Sequence, residues 1–215
     1  MEAVVKPLEY IFLTLYLVVF VISLIRFPLY KDSPLKYFPL ILLFTVITEF
    51  LGGYIRDFIG TSNLIIFNIY YFFYFTLFHY VFLKAIEEAH FKKYIKVGIV
   101  LFWISYLRDI LLVDIFNYSF IASYIVGAGV LIFCIILYYI SVLQSSLVLV
   151  IKNDLLFWVS VGLFLFYIGY LPIKIMRTLF FDLTKFYLIL LIIQFSLIIV
   201  MYLFFLIGFI WMKKR

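Results

Sequence analysis

Between Tyr37 and Lys84 the chain reads YFPLILLFTVITEFLGGYI, then RDFIGTS, then NLIIFNIYYFFYFTLFHYVFLK. A bilayer's hydrocarbon core is about 30 Å thick, and about 20 consecutive apolar helical residues cross it. Both runs reach that length, and a segment in lipid must satisfy its backbone polar groups internally, which a helix does. The stretch therefore predicts two antiparallel transmembrane helices joined by a short polar turn. This hairpin limits the fold more than any other feature, because a chain that opens on lipid-soluble helices must bury or embed everything attached to them.

The rest of the chain agrees. Of 215 residues, 68% are hydrophobic and 13% charged, against about 45–50% and about 25% in soluble domains. So little polar surface cannot cover a water-soluble globule. The expectation is an all-α, polytopic transmembrane bundle, with residues 1–215 forming a single integral membrane domain. Candidate spans fall at about 8–28, 38–58, 63–84, 94–113, 117–143, 155–174 and 186–211, seven in all. The first reads as a retained helix, since no small-residue cleavage pattern follows it. The fourth is anomalous. The uncharged stretch between Lys96 and Arg108 covers roughly 16 Å, about half a hydrocarbon core. Either Lys96 reaches down to the boundary or Arg108 and Asp109 enter the membrane.

Orientation follows from counting basic residues between spans. One side collects Arg26, Lys31, Lys36, Lys84, Lys92, Lys93, Lys96, Lys152, Lys213, Lys214 and Arg215, eleven in number. The other collects Lys6, Arg56, Arg108, Lys174, Arg177 and Lys185, six in number. This bias predicts an outer N-terminus and a cytoplasmic C-terminus. The net charge of +6 belongs to helix ends that meet lipid headgroups, so direct nucleic-acid binding is not expected. The 28 Phe and 19 Tyr suit interfacial belts and a biased composition better than an aromatic ligand site.

Glu49 is the expensive residue, a carboxylate inside an apolar run, roughly 10 Å below the outer boundary set by Arg56. Thr45, Glu49, Gly52, Gly53 and Arg56 share a helical face that should point into the bundle. By depth, Asn68, Tyr71 and Gln194 are its expected partners. An intramembrane carboxylate reads as a proton, cation or ligand site; equally, it reads as a hydrogen-bonded clasp between helices, of the kind that contributes about 0.6–2 kcal/mol. His79 shares a face with Asn68 but lies too near the cytoplasmic end to reach Glu49.

Arg56-Asp57 and Arg108-Asp109 sit at outer helix ends. Sequence neighbours on a helix diverge, so cross-pairing is expected, Arg56 with Asp109 and Arg108 with Asp57. These charges form either a vestibule with Lys174, Arg177 and Asp182 or an ion-pair ring at the interface. Tyr54-Ile55-Arg56-Asp57 and Tyr106-Leu107-Arg108-Asp109 also hint at a parallel repeat. Ser119, Ser123 and Gly127 form a small-residue seam suited to helix packing.

Catalytic patterns are not in evidence. No phosphate loop, no Ser-His-acid set at a shared depth and no CxxC occurs. The single Cys134 excludes an intramolecular disulfide. No metal or cofactor is expected, and the chain reads as non-enzymatic. Residues 35–84, through Pro39, the Glu49-Phe50-Leu51-Gly52 run and Asn68-Ile69-Tyr70, resemble small uncharacterised seven-helix integral membrane proteins of Bacteroidota. That resemblance implies membrane location without a settled activity. In size and character the chain is also similar to small multi-spanning accessory proteins encoded beside type VI CRISPR effectors. The leading functional expectation is an accessory, sensor or regulatory module that acts through a membrane or peripheral protein partner, or through a homo-oligomer, in the lipid bilayer. A small transporter or channel using Glu49 is the alternative.

Overall fold

The computed structural model describes residues 2–179 and 184–213. They are all-helical, 88% helix with no strand. Seven α-helices follow one another: α1 (Glu2–Tyr30), α2 (Phe38–Tyr54), α3 (Leu64–Ala85), α4 (Ala89–Leu112), α5 (Ile121–Leu143), α6 (Leu155–Leu179) and α7 (Thr184–Trp211). Six of these regions are long and apolar enough to cross a membrane; α4 falls short. The charges that made residues 94–113 anomalous in sequence, Lys96 and Arg108-Asp109, lie within α4.

The helix ends follow local chemistry. Ser33 Oγ accepts from the Leu35 N–H at 3.2 Å and starts a 3-10 turn, Pro34–Tyr37, that leads into α2. Proline suits this position because its missing N–H would be unsatisfied there anyway. At its other end α2 continues as a π-turn, Ile55–Ile59, so the polar break expected at Arg56 begins one turn later. Gly60 closes it in the left-handed region (φ 70°), where a side chain would be strained. The α4–α5 connection is longer than expected, and α5 starts at Ile121 where residue 117 was anticipated. Asp114 accounts for the difference: its carboxylate accepts from the Phe116 N–H and the Asn117 side chain, an Asx-type turn that competes with helix.

The chain divides into two compact units. The first combines residues 1–29 with 149–215 and so contains α1, α6 and α7. Here Phe12 of α1 meets Phe195 of α7 with centroids 4.8 Å apart, and Tyr16 meets Tyr202 at 4.5 Å. Glycines let α6 and α7 approach closely. A Cβ on Gly162 would stand 2.8 Å from the Met201 carbonyl oxygen, and one on Gly208 2.8 Å from Trp158 Cβ.

The second unit, residues 30–148, contains α2 to α5. Its core is aromatic: Phe75, Phe78, Phe82, Phe102 and Phe120 are all fully buried. Gly127 of α5 is the point of closest approach, since a Cβ there would lie 2.7 Å from Phe75 and 2.9 Å from Phe102. The seam that includes Ser123 and Gly127 thus packs helices. Outward, both units present large apolar side chains, among them Ile25 (70% exposed), Ile104 (60%) and Leu111 (72%).

Candidate functional site

Three of the polar residues buried in the second unit, Asn68, Asp109 and Ser123, gather at the end of α3 nearest the α2–α3 turn. Asn68 is fully buried on α3. Its amide nitrogen donates to the carbonyls of Ile115 (3.1 Å) and Tyr118 (2.9 Å), and its Oδ1 accepts from the Phe120 N–H at 3.0 Å. One side chain thereby fixes three backbone groups of the α4–α5 connection. The Tyr106 hydroxyl on α4 donates to the Asn68 backbone carbonyl at 3.2 Å. Beside it Asp109, 2% exposed, accepts the Ser123 N–H at 2.9 Å. Ser123 lies in the first turn of α5, where free N–H groups and the helix dipole favour an anion.

Asp109 is also 3.5 Å from Arg108 Nη1, whose own side chain remains 57% exposed. Arg56 likewise pairs with its neighbour, Nε to Asp57 Oδ1 at 2.7 Å. The structure therefore joins each arginine to the aspartate beside it in sequence, where cross-pairing was expected. For Arg56 the π-turn alters the angle between successive residues. Arg108 reaches round from the exposed face of α4. The two Tyr-x-Arg-Asp copies are not equivalent, since Tyr54 is 55% exposed and Tyr106 8%.

Glu49 is half-buried on α2. Gly52 packs on Phe67, with the position of a Cβ 2.9 Å from that ring, and Thr45 Oγ1 lies 2.9 Å from the Tyr70 hydroxyl. Between those contacts Glu49 stands level with Asn68. The buried stripe of α2, however, runs through Ile41, Thr45, Thr48 and Gly52, while Gly53 borders open space and Arg56 is exposed. Of the partners anticipated for Glu49, Asn68 has both amide hydrogens committed to the α4–α5 connection. Tyr71 sits edge-on against Tyr124 at 4.8 Å. Gln194 belongs to the first unit, where its Oε1 accepts from Arg177. The same guanidinium donates to the Tyr187 hydroxyl at 2.6 Å and lies over that ring. Lys174 and Arg177, read as loop residues, fall inside α6; Asp182 lies outside the described residues.

His79 is fully buried on α3. Its Nε2 is 3.0 Å from the Gly127 carbonyl, which can only accept, so the proton resides on Nε2. Nδ1 is buried with no hydrogen-bond partner among the described residues, and Phe75 and Phe102 face the ring. At the other end of this unit Ser141 of α5 donates to Glu88 at 2.8 Å. Partial burial alone would raise the Glu88 carboxyl. Hydrogen bonds from its own N–H, from Ser141 and from the Glu87 N–H, with the charge of His90, outweigh that and hold it below the ordinary value.

No group of three or more His, Cys, Asp or Glu able to hold a metal occurs among the described residues. No protein-family model, curated protein or solved structure matches the chain.

Proposed function

We propose that the chain is a seven-span protein of a bacterial cytoplasmic membrane, with its N-terminus outside, acting without chemistry of its own through a protein partner or self-association. The observation that carries this reading is how the buried polar groups are used. Asn68, Asp109, Tyr106 and Ser123 hold one another and the α4–α5 connection in place, and the outward surface is apolar.

Counting α4 as the seventh span rests on its packing. Phe102 and Tyr106 lie against α3 beside Phe75 and Phe72, and a Cβ on Gly98 would touch Val130 of α5. Its opposite face exposes Val97, Leu101, Ile104 and Leu111 at helical spacing, a surface that suits lipid. Asp109 enters without an unmet acceptor because the start of α5 supplies an N–H. Arg108 can extend its head toward water.

Cross-linking in native membranes, followed by purification in mild detergent, is expected to give a discrete oligomer or one stoichiometric partner. A strictly monomeric chain that retains no partner would overturn the reading. The half-buried Glu49 keeps a transporter as the second reading, which predicts a proton or cation flux in liposomes that Glu49→Gln abolishes. The Phe75 and Phe102 rings packed against His79 weigh against a second opening there.

A further inference from the structure

We propose that Lys36, Tyr37, Tyr80 and Lys84 form a binding site for the phosphodiester headgroup of an anionic phospholipid. The inference rests on the membrane reading above and assigns that surface a specific lipid contact. The turn at residues 55–63 makes α2 and α3 antiparallel, so the 3-10 turn ahead of α2 and the last two turns of α3 meet at the other end of the hairpin. There Tyr37 and Tyr80 contact edge to face, with centroids 5.7 Å apart. Lys36 Nζ lies 5.1 Å from the Tyr37 centroid, and Lys84 Nζ lies 5.4 Å from that of Tyr80.

Both lysines are exposed and both tyrosines half-buried. Among the described residues neither lysine is in an ion pair and neither tyrosine hydroxyl is hydrogen-bonded. Glu88, a nearby carboxylate in sequence, is engaged by Ser141. Two cations bracketing two phenol donors offer positive charge and O–H groups to a ligand rich in acceptor oxygens and negative charge. The rings hold the ammonium groups by cation–π attraction, which limits the freedom lost on binding. The site also lies where the apolar stretches of two spans end together, at the depth where tyrosine and lysine meet headgroups.

The test equilibrates the purified full chain in micelles containing phosphatidylglycerol and phosphatidylcholine and counts retained lipid by native mass spectrometry. Preferential retention of phosphatidylglycerol is expected. The double variant Lys36→Gln, Lys84→Gln should retain it about tenfold less, since each interfacial lysine contributes separately to the attraction. Lys36→Arg, Lys84→Arg should retain it, and so should Lys93→Gln, Lys96→Gln, which removes as much charge from exposed positions on α4. Circular dichroism checks that all the variants keep wild-type helicity. Equal retention by the wild type and the first double variant overturns the site, as does an equal loss from the α4 control. Displacement of the lipid by millimolar glycerol 3-phosphate would assign the site to a soluble phosphate and overturn the lipid. Carbonate extraction of native membranes separates the two readings: a chain released by carbonate overturns membrane embedding and this site together. A chain that resists carbonate but shows no lysine dependence overturns the site alone.

Discussion

Asn68 commits its whole amide to three backbone groups of a connection nearly fifty residues later in the chain. Of these, the Phe120 N–H is the buried one, so it is the group that suffers when the side chain is removed. Asn68→Leu is expected to cost about 1–3 kcal/mol, the cost of an orphaned buried group, read as a lower unfolding temperature in detergent. Arg108→Gln should change stability by less than about 0.5 kcal/mol, because its partner is already held by Ser123 and its own head is exposed. Glu88 gives a pH dependence with a definite sign. Its carboxyl is held below the ordinary 4.5, so its contribution is complete above that value and disappears as pH falls through the lower folded-state value. Ser141→Ala should weaken this acid-side loss of stability; an unchanged pH profile would show that the hydroxyl contributes nothing to it.

Helix packing turns on a few glycines, and these separate cleanly. Gly127→Ala forces a methyl into Phe75 and Phe102, rings that are themselves fully buried. Overpacking of this sort costs about 1–3 kcal/mol. Gly129, on the same helix, has nothing within 4 Å of its would-be Cβ, so Gly129→Ala should be neutral or stabilise by up to about 1 kcal/mol through helix propensity. Paired thermal melts check both. The element scale is also where sequence reading worked best. Apolar length alone located the helices, and counting from the α2–α3 turn set Glu49 level with Asn68. The site was legible only as depths. Asn68 was matched to a carboxylate because side-chain chemistry shows in sequence, whereas its actual partners are backbone carbonyls and an N–H, groups that do not depend on the side chain that carries them. The Asp109–Ser123 contact was hidden for the same reason, because Asp109 lies within α4 and its partner is a backbone N–H of the next helix. Depth alone points Gln194 toward Glu49; α6 runs one turn further than apolar length indicates and so brings Arg177 to Gln194.

At the scale of the molecule, the proposed orientation gives a direct labelling test. In a Cys134→Ala background, Ser62→Cys should react with a membrane-impermeant maleimide in intact cells and Lys93→Cys should not; the reverse pattern would invert the topology. The discontinuous unit has a consequence for how the protein is made. The aromatic partners of Phe12 and Tyr16 are Phe195 and Tyr202, which are made after α2 to α5. During synthesis α1 must therefore wait in the bilayer, or beside the insertion machinery, while α2 to α5 assemble between its beginning and its completion. A chain paused before α6 should expose α1 to protease or to insertase cross-linking, and completing translation should remove that exposure. Separately expressed pieces cut near residue 150 would then need each other to shelter the first helix, which makes the junction a practical place to split the protein for complementation.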